Sequence, residues 1–459
     1  MLAGFSVSNF KSFQDTQTIS FIASKTPRHK EHIFSTANRQ ILKSALIFGA
    51  NAGGKSNLID AIDFSKEIIL SGLDKVAIDK NYFRINSNAV HIPGIFEYRL
   101  ITNGIEYSYG IAVLYDKKEI CSEWLVKIEP DGKEENIFNR EADEHGINSV
   151  TSDKIYNNNN EANRLKIYLD DFGENISEPL KKKTILNDIA ERVNGKQEFF
   201  QDILNVYECF NDIIAIYPNS KYTKLNTLVY SNVSREIFSN LMSFFDTGIE
   251  AVEGKEQSIS IEKLIQFVPE EDITNFKRDI SNSDYEHPVM LKLKQQFFAF
   301  RKDKNGNIIY NKMKLNHGND KELFNYSDES DGTKRLFDLI PLFLFLNQKY
   351  KTILIDEIDR SLHSNLTKRF IELFYQITKQ TPCQLIATTH DSNLLDMDLI
   401  RKDEIWFIER KEDHSSQLYS LNKYKDFFNN EINKEYLIGR YGAIPFFNEN
   451  IIAGDYDND

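Results

Sequence analysis

The stretch Gly49-Ala50-Asn51-Ala52-Gly53-Gly54-Lys55-Ser56 constrains this chain's fold more than any other feature. It matches the pattern G-x-x-x-x-G-K-[ST], which holds phosphate only where an apolar strand feeds a helix through a tight loop. Both flanks are present. Leu42 to Phe48 is a short apolar run, and Leu58, Ile62 and Ile69 recur at helical spacing. Small residues at Gly49, Gly53 and Gly54 let successive backbone N–H groups wrap a phosphate, and the helix that follows points its positive end at the same charge. Lys55 is expected to pair with β- and γ-phosphate oxygens, and Ser56 to ligate magnesium. The expected ligands are ATP and Mg²⁺.

Far downstream, Ile353-Leu354-Ile355-Asp356-Glu357 reads as an apolar strand ending in two carboxylates. Such a pair alone is weak evidence, since buried strands often end in a solvated acidic turn. After a P-loop it acquires a division of labour: Asp356 reaches the Mg²⁺ shell and Glu357 stands beside the attacking water as base. Leu385-Ile386-Ala387 gives another apolar strand, and His390 at its end is expected to sense the γ-phosphate. Between P-loop and carboxylates stands Ser330-Asp331-Gly332-Thr333-Lys334-Arg335, with Asp359-Arg360-Ser361-Leu362-His363 just after them. A small hydroxyl and a glycine opening a helix make either a good N-cap or a second anion cradle.

The rest of the chain sets the frame. Phe5, Val7, Phe10, Phe13, Ile19 and Phe21 alternate with polar residues as a hairpin would. Alternation returns from Ile95 to Ile137, with Asn103-Gly104 as a strong hairpin turn, and suggests an antiparallel β-subdomain. Residues 145–175, with Asn157 to Asn160, read as a polar loop. Leu180 to Met242 is helical but too often interrupted for a heptad coiled coil, and Phe297 to Leu315 forms a second hairpin pattern around Asn305-Gly306. The expected division is an ATPase lobe at 1–150, a mainly helical insert at 151–295, and a second ATPase lobe at 296–459. A net charge of -13 argues against a wholly basic, nucleic-acid-coated surface, although 56 Lys and Arg leave room for a local groove. Three scattered cysteines give neither a disulfide framework nor a zinc site, and no signal peptide or membrane span is visible, so a cytoplasmic location is expected. His29-Lys30-Glu31-His32 lacks the His-Glu-x-x-His order and reads as a solvated loop. The acidic stretch Asp455 to Asp459 reads as a solvated tail.

Taken together these strings resemble the ABC-type ATPases of prokaryotic antiviral systems, relatives of RecF, SMC and OLD proteins, and most of all the RloA/AbiLi-like branch. The likeness extends to Val7-Ser8-Asn9-Phe10-Lys11-Ser12-Phe13, to the Asn51 and Asn57 of the P-loop, to Asp246-Thr247-Gly248-Ile249, to Arg401-Lys402-Asp403-Glu404-Ile405-Trp406-Phe407 and to Gly439-Arg440-Tyr441-Gly442-Ala443-Ile444-Pro445. It implies an α/β ABC-type P-loop head with an antiparallel β-subdomain and a helical insert, and no long coiled coil. It implies that Ser330, Gly332 and Thr333 grip the γ-phosphate held by a second copy, so that the working form is a homodimer or larger. It also implies a RloB-like, TOPRIM-related effector as partner, with nucleic acid or a phage component as further possible contacts and no membrane. A RecF- or SMC-like repair ATPase that binds DNA directly is the alternative; a transporter subunit fits the signature less well, and no TOPRIM pattern follows His390 for a self-contained nuclease. Asp331 departs from the family's Leu-Ser-Gly-Gly-Gln signature by placing a carboxylate near a phosphate cradle, and no Q-loop glutamine is assignable.

Overall fold

The apolar run before the P-loop forms the strand Ser44–Phe48, buried at every residue. Continuous burial, rather than alternation, marks a strand covered on both faces of a parallel sheet. That sheet runs in the spatial order Ile213–Ile216, Thr352–Ile355, Gln384–Thr389, Ser44–Phe48, Ile405–Arg410, Ser416–Ser420. The first five strands are parallel and the last joins as an antiparallel edge. Parallel strands place all their C-terminal ends along one edge, where α/β sheets bind ligands. Gly49, Asp356 and His390 each begin where one of three adjacent strands stops.

The computed structural model describes residues 1–36, 38–143, 145–156, 160–193, 198–218, 232–259, 273, 277, 280–281, 283, 289–293, 296–305, 307–344, 346, 351–424 and 432–445. Its contacts divide the chain into two units, one of Met1–Tyr217, Lys349–Ile358 and Thr378–Asp459, the other of Pro218–Gln348 and Asp359–Ile377.

The first unit adds a seven-stranded antiparallel sheet to the parallel one. Its order is Asn148–Thr151, Glu134–Ala142, Glu119–Ile128, Ile105–Leu114, Gly94–Thr102, Leu2–Ser8, Gln17–Ser20. The opening hairpin therefore exists, with Val7 opposite Gln17, and continues into the β-subdomain through the Leu2–Ser8 strand. Asn103 and Gly104 both take positive φ, 52° and 79°, as a two-residue hairpin with the sheet's own twist requires. The helix Lys55–Ser71 packs on the helices Ile185–Arg192 and Gln201–Asn211. At 17 residues it is the longest helix among the described residues, which contain no long coiled coil. None of those helices is long and apolar enough to cross a membrane.

One sequence expectation is corrected. Residues 145–175 are not a plain loop: they include the strand Asn148–Thr151 and the helix Asn160–Asp170. Ala162, Leu165 and Leu169 make a narrow buried stripe on that helix, and the polar residues around them conceal it. Asn157 to Asn159 and the acidic stretch at 455–459 lie outside the described residues.

The second unit holds a four-stranded antiparallel sheet, ordered Ala251–Ile259, Ile308–Asn316, Gln296–Lys302, Val289–Leu293. The expected second hairpin is its Gln296–Lys302 and Ile308–Asn316 pair. Helices Asn232–Phe244 and Asp331–Leu339 meet through Phe238 and Phe337, whose rings are 5.1 Å apart. Phe343 packs likewise on Phe370 of the helix Ser364–Ile377.

Candidate functional site

The P-loop helix begins at Gly54, whose φ of 108° is one that residues with a side chain rarely adopt. A Cβ there would also stand 2.2 Å from Ser416 Oγ, and one at Gly49 would stand 2.3 Å from the Ile408 carbonyl oxygen. Close approach thus requires both glycines, and the loop's path requires Gly54 as well. Gly54 has no side chain with which to cap the helix, which leaves its first N–H groups for a ligand. Lys55 is buried, 5 % exposed, and its ammonium donates to the Gly49 and Ala50 carbonyls at 2.8 and 3.0 Å. It also lies 3.3 Å from His390 Nδ1. Phosphate oxygens at this loop would compete for the same cation.

The expected carboxylates meet this loop. Ser56 Oγ donates to Asp356 Oδ1 at 3.1 Å, although 300 positions separate the two residues. Thr388 Oγ1 donates to the same oxygen at 2.6 Å and accepts the Glu357 N–H at 2.8 Å. Glu357 has φ 50°, an unusual backbone state for a side-chain-bearing residue. The Thr388 hydroxyl and the Ile358 N–H bond to the Thr388 carbonyl hold the turn from both sides. Ser56 and Asp356 offer hard oxygen donors side by side, the donor set that suits magnesium. Lys55, Ser56, Asp356, Glu357 and His390 are thus brought together as the sequence indicates.

Ser12 and Ser416, to which the sequence assigned no role, brace the loop together with Asn57. Ser416 Oγ donates to the Gly53 carbonyl at 2.7 Å and stands 2.8 Å from Ser12 Oγ, which in turn accepts Asn57 Nδ2 at 2.7 Å. Lys11 pairs with Asp60 of the P-loop helix at 2.5 Å. A cavity of about 580 Å³ opens beside Ala52 and Asn57, lined among others by Lys11, Ser12, Arg84 and Arg410. A second, of about 660 Å³, lies against Asn51 and Gly53 and is walled by Glu409 and the Gly442–Pro445 segment. Glu409 holds that wall by accepting the Ala443 N–H at 3.0 Å.

In the second unit Ser330 caps the helix Asp331–Leu339, its Oγ accepting the Thr333 N–H at 3.1 Å. A Cβ at Gly332 would meet the Ser361 carbonyl at 2.8 Å, so this glycine lets the helix start pack on the Asp359–His363 segment. The Asp331 side chain is 89 % exposed and faces Lys334 at 3.9 Å, which moderates the carboxylate that set this signature apart.

The family described as "AAA domain, putative AbiEii toxin, Type IV TA system" matches residues 44–396. Among solved structures, the chain is similar to the SMC head domain from Thermotoga maritima, at 15 % identity and TM-score 0.38, covering 91 % of this chain and 98 % of that one. It is similar also to the Smc head domain with an extended coiled coil bound to the C-terminal domain of ScpA derived from Pyrococcus furiosus, at 14 % identity and TM-score 0.35, covering 92 % and 97 %. No curated protein sequence matches it.

Proposed function

The chain belongs to this AAA-domain ATPase family, and from that premise we propose that it binds ATP with Mg²⁺, hydrolyses it between two copies, and thereby controls a partner effector in a prokaryotic antiphage system. The observation that carries the ATPase part is the convergence of Lys55, Ser56, Asp356, Glu357 and His390 at three adjacent strand ends. Ser56 and Asp356 would hold magnesium, which would supply positive charge to the phosphate oxygens. Lys55 and the helix N-terminus add fixed positive charge from the other side. Glu357 accepts the proton of the water that attacks the γ-phosphorus while the bond to the bridging oxygen breaks and ADP leaves, and His390, beside Lys55, hydrogen-bonds the phosphate being transferred. The cavity beside Ala52 and Asn57 has the size of a ligand pocket and receives the nucleoside. Ser330, Gly332 and Thr333 of a second copy close the site, in this reading, through the N-terminus of their helix.

The defence role draws on the family description, which names a toxin of a toxin–antitoxin system, and on the resemblance to the RloA/AbiLi-like branch. The effector in this reading is a RloB-like, TOPRIM-related protein that does the cutting. Glu357→Gln tests the hydrolytic part: it should bind ATP with wild-type affinity and release phosphate about 10²–10⁴-fold more slowly. Wild-type turnover in this variant would show that another group activates the water. Coexpression with products of neighbouring genes, followed by plaque counts, tests the rest. Protection should vanish with Lys55→Ala, and protection that survives it would separate the ATPase from defence.

A further inference from the structure

We propose that His29, Glu31 and His32 bind a zinc ion that staples the segment before the P-loop strand to the Met397–Glu404 segment. The reading of this stretch as a solvated loop fails first on burial: His32 is 3 % exposed and sits in a short 3-10 turn, Lys30–His32. His29 Nδ1 stands 3.4 Å from Glu31 Oε1, and His32 Nε2 stands 3.8 Å from the same oxygen. All three ligand atoms lie within 4.8 Å of one another. Tetrahedral zinc with bonds of 2.0–2.1 Å sets neighbouring ligand atoms about 3.3–3.4 Å apart, so the three groups need only a small closure. His29 carries the local backbone into the left-handed region, φ 49° and ψ 57°, and its ring stacks on that of His32 at 4.7 Å.

The far side of each ring makes the stronger argument. His29 Nε2 lies 2.8 Å from the Met397 carbonyl oxygen, and His32 Nδ1 lies 3.0 Å from Glu404 Oε2. A carbonyl or carboxylate oxygen only accepts, so both of these nitrogens carry hydrogen. The other nitrogen of each ring, His29 Nδ1 and His32 Nε2, is then the one turned toward the Glu31 carboxylate. One divalent cation placed between these two nitrogens and the carboxylate would be shared by all three groups. Carbonyl and carboxylate partners behind ligating histidines are the usual outer shell of a zinc site. Two nitrogens and one oxygen suit zinc rather than magnesium or calcium. Glu31 is half exposed, which leaves the fourth position to water. The ion is a structural one: Glu404 accepts Ser44 Oγ through its other oxygen at 2.9 Å, so the staple reaches the first residue of the P-loop strand.

The test uses the untagged full chain, stripped with a chelator and titrated with zinc against a chromophoric competitor. One zinc per chain is expected, with a rise in melting temperature of a few degrees. His29→Ala and Glu31→Gln should each weaken binding at least about 100-fold, and Glu404→Gln about 10–100-fold. Lys30→Ala should change nothing. Glu31→Gln nearly preserves shape at a half-exposed position, so it carries the test if His29→Ala folds poorly. Failure to take up one zinc per chain, or uptake that both ligand variants leave intact, overturns the site.

Discussion

Thr388 ties the two carboxylates of the site into one geometry, because a single hydroxyl donates to Asp356 and accepts the backbone N–H of Glu357. Valine has nearly the same shape and neither bond. Thr388→Val should therefore lower ATP turnover about 10–100-fold, through a misplaced base and a displaced metal ligand, while ATP affinity through Lys55 falls little. Phosphate release set beside nucleotide binding checks it; equal turnover would show that the strand end alone fixes Glu357. Lys55, Ser56, Asp356, Glu357 and His390 were legible in the sequence because each is announced by its own strand or loop. Thr388, Ser12 and Ser416 were not. Ser12 and Ser416 meet across 404 positions, and no local pattern marks a serine whose task is to hold someone else's backbone.

At the scale of elements, the antiparallel sheet reaches the P-loop helix's neighbours through one buried carboxylate. Glu123, fully buried on its strand, accepts the N–H groups of Ile185 at 2.6 Å and Leu186 at 3.1 Å, and the Tyr109 hydroxyl at 3.0 Å. It thus caps the helix Ile185–Arg192, which packs on the P-loop helix. Glu123→Ala leaves those donors buried without an acceptor and should cost about 2–4 kcal/mol, read from urea midpoints. Burial pushes the Glu123 carboxyl up, and Arg140 together with the two backbone N–H groups pulls it partly back. With the folded value above the unfolded one, its stabilising share is complete at acidic pH and lost as pH climbs through the raised value. Glu123→Gln removes that slope, so its stability relative to wild type should improve from about pH 4 to pH 7. A constant difference over that range would mean that the hydrogen bonds, not desolvation, set the balance. The Asn103-Gly104 hairpin that frames this sheet was readable because both residues favour positive φ. The helix Asn160–Asp170 was not, since its three buried apolar residues stand among polar ones and an exposed Ile167, which blurs the period.

Over the whole molecule the open question is whether Ser330 serves the P-loop of its own chain or that of a second copy, and complementation separates the two. Lys55→Ala removes the cation at the phosphates, and Ser330→Arg fills the cap of the Asp331–Leu339 helix with a long side chain. Each variant alone should be inactive under either arrangement. In a symmetric dimer with shared sites, one site of a mixed pair combines both defects, while the other joins the intact P-loop of the Ser330→Arg chain to the intact signature of the Lys55→Ala chain. Random mixing then rebuilds about a quarter of all sites, and ATPase activity should return in that proportion if the sites act independently. If each chain completes its own site, every site in the mixture keeps one lesion and nothing returns. Recovery must also follow the time course of subunit exchange, because mixed pairs form only after the parent dimers dissociate. Activity that stays at the level of the separate variants, under conditions where exchange is verified by crosslinking, would assign the whole catalytic apparatus to a single chain and leave Ser330 as the cap of its helix.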